Sequence, residues 1–276
     1  MGLWSLLTGW RSKKRRKPAA QRALQAEIRQ LQGGRYCRFE AMEERRLLDA
    51  DPIKVGVTYF EDDSGHDAAG DIFQISYEGG APGTELTHLV IDGDHYSAGL
   101  SYGDMIFDTA QGGLGSDGAF PLQIISSTGI GKVSWHVDDG SSLLTLDFEG
   151  FNAGEKLIFT IDVDEVQVFT PGETDLNVIN QGLDPVASGL EFHGSKLSAN
   201  FIAPHYNASS GSGTFLNQYD SLFVGSNLLV TQGNANGFPN DDFQGQRDRS
   251  TGVMVQMAQE PLPASIRGHV DLTDRN

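Results

Sequence analysis

Hydrophobic residues follow two different periods along this chain, and the change comes near residue 51. Before it, Ala20, Leu24, Ile28 and Leu31 recur at spacings of four, four and three. That is one face of a helical period, so residues 18–32 predict an amphipathic helix. Pro18 suits its first turn, and Gly33-Gly34 stops it. After Pro52 the period is two. Val55, Val57 and Tyr59 alternate within Lys54–Phe60. Further strands are predicted at Asp71–Glu78, Glu85–Asp92, Leu122–Thr128, Lys132–Val137, Ser142–Phe148, Lys156–Phe169, Lys196–Ile202 and Thr214–Tyr219. The separators are turn-rich, as in Gly79-Gly80-Ala81-Pro82-Gly83 and Asp138-Asp139-Gly140. Many short strands with such turns predict a mainly β fold, an antiparallel β-sandwich body behind a basic, partly helical N-terminal leader. No helix-period stretch separates the strands, which argues against a parallel α/β sheet.

Charge changes at the same place as the period. Residues 1–51 hold twelve Lys/Arg and six Asp/Glu, a net of +6. Residues 52–276 hold eight and thirty-one, a net of −23, and the two sum to the −17 of the whole chain. Such a break is expected between an address segment and its cargo. The acidic body argues against a nucleic-acid partner, because phosphate binding needs concentrated Lys/Arg. The run Lys13-Lys14-Arg15-Arg16-Lys17 reads instead as the charged end of a targeting leader. It lacks the apolar core of roughly 7–15 residues that an ordinary secretory signal or a twin-arginine signal needs. No stretch approaches the roughly 20 apolar residues of a transmembrane helix.

Four segments follow from these patterns. They are a leader at 1–51, a sandwich body at 52–230, a polar loop and Pro-containing linker at 231–263, and a new strand at 264–276. Residues 203–215 also read as loop. The single cysteine, Cys37, rules out an intrachain disulfide.

The strand around residue 160 is the strongest candidate for chemistry. Phe159, Ile161 and Val163 lie on one face, whereas Val166 and Val168 have the opposite parity. The slip falls across Asp164-Glu165 and predicts a β-bulge there. Asp162 and Asp164 share the outward face, and the bulge would turn Glu165 toward them. Three carboxylates at one place suit a hard cation such as Ca²⁺. The plainer reading is an exposed acidic face that blocks edge pairing. Glu61–Asp71 lacks the ligand spacing of an EF-hand and reads as a solvated loop. The seven histidines are scattered without zinc-ligand spacing.

No nucleophile elbow or phosphate loop is present in the sequence, so the chain is expected not to be an enzyme. Two rival readings stay open. A carbohydrate-binding module could use Trp135, Tyr59, Tyr77, Tyr96 and Tyr102 as a sugar-stacking platform. A glycoside hydrolase would need two facing carboxylates, and the sequence singles out no such pair.

The segment Arg38–Ala50 resembles a short N-terminal motif of large exported planctomycete proteins, Phe-Glu-x-Leu-Glu-x-Arg-x-Leu-Leu, often written LEPR-x-LL. Phe39, Glu43, Arg45, Leu47 and Leu48 match it, while Met42 replaces the usual Leu and Glu44 the frequent Pro. The end of the chain, Pro261–Asn276, is similar to the first strand of a B-type repeat from serine–aspartate repeat adhesins (the SdrD B-like, collagen-adhesin B-like sandwich), which would make that domain truncated here. The body is similar to the region between leader and first repeat in such proteins, a region to which no activity attaches. The resemblance implies a secreted or cell-surface protein in adhesion or envelope structure. Its expected partners are export machinery, through the leader, and envelope or extracellular proteins or glycans.

Overall fold

The computed structural model of the protein describes residues 50–61, 70–96, 99–116, 118–185, 189–216 and 250–263. The expected leader helix, the motif residues Phe39, Glu43, Arg45, Leu47 and Leu48, and the expected strand at 264–276 lie outside these residues.

Twelve strands are described: β1 (Ile53–Phe60), β2 (Asp71–Glu78), β3 (Glu85–Asp92), β4 (Met105–Asp108), β5 (Gln123–Ser126), β6 (Lys132–His136), β7 (Leu143–Asn152), β8 (Lys156–Val166), β9 (Leu183–Pro185), β10 (Lys196–Ile202), β11 (Ser209–Thr214) and β12 (Ser250–Met257). One short helix, α1 (Leu176–Asn180), begins at Asp175, whose side chain accepts a hydrogen bond from the Asn177 N–H. The fold is the antiparallel sandwich that the period-two pattern predicts. One sheet runs β12-β1-β2-β8-β4, with β5 and β9 also paired to β8; the other runs β11-β10-β3-β7-β6.

Alternation explains the layering. Val55, Val57 and Tyr59 of β1, Phe73, Ile75 and Tyr77 of β2, and Phe159, Ile161 and Val163 of β8 are buried and face the second sheet. That sheet answers with Leu89 and Ile91 of β3, Leu144 and Leu146 of β7, and Leu197, Ala199 and Phe201 of β10. An aromatic cluster lies between them. Phe73 stacks on Phe159 at 5.1 Å and meets Tyr59 at 5.0 Å and Phe192 at 5.5 Å. The buried Tyr77 hydroxyl donates to the Thr84 carbonyl at 2.6 Å, which satisfies its polar end.

β8 is the longest strand and has partners on both edges. Residues 158–160 pair with β2 on one edge and β5 on the other. Further along, Asp164 pairs with Ile106 of β4 and Pro185 of β9. The strand is also buried on both faces from Leu157 to Val166. A strand of that kind shows no simple polar-out alternation. The acidic face expected to be exposed is therefore interior: Asp162 and Asp164 are 2% and 0% exposed.

Several elements differ from the sequence reading. β12 occupies Ser250–Met257, inside the stretch assigned to polar loop and linker, and pairs with the whole of β1 from Ile53↔Met257 to Phe60↔Ser250. Its inward Val253, Val255 and Met257 do alternate, but they follow a long Asn/Gln/Gly-rich run. β11, Ser-Ser-Gly-Ser-Gly-Thr, lies in the expected 203–215 loop. It has no apolar residue to announce it and is held by pairing with β10. Of the strand expected at Thr214–Tyr219, Thr214 ends β11, Phe215 is buried and Leu216 makes a single bridge to Gly252; residues 217–219 lie outside the described residues. β4 and β9 are four and three residues long and were not expected.

Candidate metal centre

The site is built on the outer face of β8. Two-residue periodicity places Asp162, Asp164 and Val166 on that face, opposite Phe159, Ile161 and Val163. The register of β4 then supplies the third acid, because Asp108 pairs with Asp162 and Ile106 with Asp164. The result is three carboxylates, Asp108, Asp162 and Asp164, each with a ligand oxygen within 4.8 Å of the others. Their exposures are 4%, 2% and 0%. Beside them, Ile106, Val166 and Leu183 form a small apolar cluster that Leu100, Leu114 and Phe169 complete.

The bulge expected at Asp164-Glu165 is not formed. β8 pairs in unbroken register with β4 through Glu165 and with β9 through Val166. The change of apolar parity has another cause: Val166 belongs to the outer cluster, and Val168 lies beyond the strand and is exposed. Unbroken alternation puts Glu165 on the Val163 face, away from the other two acids. Glu165 is therefore not in the cluster, and Asp108 stands in its place. Glu165 instead pairs with Asp184 and receives a hydrogen bond from the Gln167 side-chain amide. Burial, then the charges of Glu191 and Asp184, raise its carboxyl to about 7.

The chain between β4 and β5 covers the acids, and its glycines allow the close approach. The Ser116 N–H donates to Asp164 at 2.9 Å, and the Ser116 hydroxyl bonds the other oxygen of the same carboxylate. Gly115 lies so close to Asp108 that a Cβ there would fall 1.7 Å from its Oδ2. Gly113 meets Asp139 in the same way, at 1.8 Å. Asp139 organises the stretch by accepting from the N–H groups of Thr109 at 2.9 Å, Ala110 at 2.8 Å and Leu114 at 3.0 Å. Burial would raise the Asp139 carboxyl, but those donors outweigh it and hold it below the usual carboxylate range. Asn180 of α1 fixes the far side, donating to the Gly113 carbonyl at 3.0 Å and accepting from the Gly115 N–H at 3.3 Å.

Electrostatics follow from burial and crowding. Desolvation, then the neighbouring Asp164 charge, raise the Asp108 carboxyl from 3.8 to about 7, partly offset by the Ala110 N–H. Without a counter-charge, like charges this close resist ionising together. Asp108 of β4 and Glu165 of β8, the two carboxyls raised to about 7, lie on opposite faces of the β4–β8 pair. They do not face each other across a cleft, as a glycosidase pair would.

The donor set tests which group fits. All three ligands are hard carboxylate oxygens, with no His or Cys, so the set suits an alkaline-earth cation better than zinc. No family model matches the chain, and no curated protein or solved structure matches it significantly. The aromatic residues considered as a sugar platform are dispersed. Tyr59 and Tyr77 are core residues, Trp135 is on the edge strand β6, and Tyr96 and Tyr102 lie exposed between β3 and β4.

Gly115→Ala tests the close packing over the acids. The added methyl has to displace the Asp108 carboxylate, so the variant is expected to melt below wild type and to bind divalent cations more weakly. Thermal melts with and without calcium check both effects. Gly112→Ala is not the matching control, because its φ of 81° disfavours any side chain.

Proposed function

We propose that this protein is a non-catalytic, exported component of the cell surface or extracellular space, whose β-sandwich body is tied together by a bound calcium ion. The observation that carries the cation reading is the burial of Asp108, Asp162 and Asp164 at one place. Three neighbouring buried carboxylates are costly unless a cation compensates them. Calcium takes six to eight oxygen ligands, and three carboxylates offer up to six. The ion would link β4 to β8 beneath the Asp139-organised loop, in a chain whose single cysteine allows no internal disulfide.

Export is supported by the reversal of charge near residue 51 and by the resemblance of Arg38–Ala50 to the planctomycete sorting motif. The adhesive or envelope role follows from that resemblance and from the similarity of Pro261–Asn276 to an adhesin B-type repeat. Two experiments test the two halves. Fractionation of an epitope-tagged chain in its native host is expected to place it in the envelope or medium; retention in the cytoplasm refutes export. Calorimetric titration of the full chain with calcium chloride is expected to show one site, absent from Asp162→Asn. No heat of binding from either calcium or magnesium refutes the cation.

A further inference from the structure

A polar cleft of about 640 Å³ opens over the outer side of the acid cluster. Its lining includes Asp108, Gln111, Asn177, Asn180, Gln181 and Asp184, with Gly112, Gly113 and Gly115 completing the wall. The volume lies within the range of small-molecule sites. Such sites are usually mostly apolar, and this one is not, which restricts what it can hold.

Three properties identify the class of ligand. Among the described residues no Lys, Arg or His lines the cleft. An anion such as a phosphate or a uronate therefore finds no cationic side chain to pair with it there. The lining also mixes donors with acceptors: the carboxamides of Gln111 and Gln181 offer both, and the Asp108 carboxylate accepts. A purely cationic ligand would only donate and would leave the carboxamide N–H groups without acceptors. A hydroxyl both donates and accepts, so a ligand dense in hydroxyls matches the whole surface. Finally, the wall is fixed in advance. Asp139 holds 109–114, and Asn180 ties that stretch to α1, so little order is lost on binding. Asn177 and Asn180 of α1 and Gln181, the residue that caps it, lie three and four residues apart, which puts them on one side of that turn. Asn180 is committed to the loop, whereas Gln111 and Gln181 are exposed and make no side-chain hydrogen bond to the described residues.

We propose that the cleft between the 111–116 stretch and α1 binds a neutral carbohydrate through hydrogen bonds, without an aromatic stacking platform. The inference builds on the surface role proposed above and names the chemistry bound there. It does not require the cation, because Gln111 and Gln181 are not among the candidate ligands of the ion.

The test is a glycan array carrying neutral and acidic oligosaccharides, followed by affinity electrophoresis of the full chain in gels containing the best neutral glycan. Wild type is compared with Gln111→Ala/Gln181→Ala. The expected result is saturable binding to neutral glycans alone, weakened about tenfold or more in the double variant, the factor of losing one or two hydrogen bonds. The calcium-dependent gain in melting temperature is expected to be the same in both proteins, which shows that the fold and the cation are intact. Absence of neutral-glycan binding, a preference for acidic glycans, or equal affinity in the double variant overturns the proposal. An unchanged calcium gain with no sugar binding refutes the cleft alone. Sugar binding without any calcium effect refutes the cation alone.

Discussion

Calcium at about one hundred times its dissociation constant is expected to raise the melting temperature of the full chain by about 5–10 °C. Linkage sets the size: a ligand that binds only the folded state at that excess stabilises by about 2.7 kcal/mol. For a domain of this length each kcal/mol corresponds to about 2–4 °C. Asp162→Asn is the matching variant. It removes one ligand charge while leaving Ser116 bonded to Asp164, so the loop keeps its anchor. The gain is expected to vanish in Asp162→Asn. Scanning calorimetry with chelator and with calcium decides it, and equal melting temperatures in the two buffers reject the site.

The same measurement has a pH dependence whose sign is fixed by the carboxyls. In chelator, Asp108 and Glu165 are raised to about 7 in the folded protein. Between their unfolded values and about 7, the native state holds more protons than the unfolded chain. Their contribution to stability is therefore fully present below the unfolded values and is lost as pH rises through about 7. In calcium, Asp108 is ionised and its part of this loss disappears, while that of Glu165 remains. The calcium gain is consequently expected to be larger at pH 8 than at pH 5, where protons compete for Asp108. A gain that is larger at the acid end contradicts the assignment of Asp108 as a ligand.

Phe73→Ala is expected to destabilise the body by about 3–5 kcal/mol, the usual range for removing a fully buried phenyl ring. Phe73 is 0% exposed, and its ring touches four others: Tyr59, Phe107, Phe159 and Phe192. Those rings come from β1, β4, β8 and the 3₁₀ turn Gly189–Phe192, so the space left cannot be closed by moving one side chain. The expected fall in melting temperature is about 6–20 °C. Phe148→Ala is the comparison: its ring is at the core margin, 6% exposed, and is expected to lose less. Equal losses at the two positions would mean that the Phe73 cluster is not the centre of the core.

The sandwich was legible where apolar residues alternate along a strand. In β1, β2, β3 and β7 the apolar positions alternate, and the predicted strands lie within a few residues of those formed. Legibility failed where that condition fails. β4, Met-Ile-Phe-Asp, is buried on both faces and shows no alternation. β11 has only small and polar residues, and its place comes from the pairing of β10.

The candidate site divides in the same way. Asp162 and Asp164 share a face because they are two residues apart in one strand, a local geometric rule that sequence alone determines. So do the charge reversal near residue 51, the exclusion of an internal disulfide and the mainly β character of the body. Tertiary structure decided the rest. Asp108 reaches the other two acids only through the β4–β8 register, across more than fifty residues of chain. Glu165 is excluded because both edges of β8 are paired, which leaves the strand no freedom to bulge. The burial that makes the three acids a candidate cation site comes from the covering 109–116 stretch, held by Asp139 and Asn180. Periodicity reports the face of a strand on which a side chain lies; which strand adjoins it, and what covers that face, depend on contacts between residues far apart in the chain.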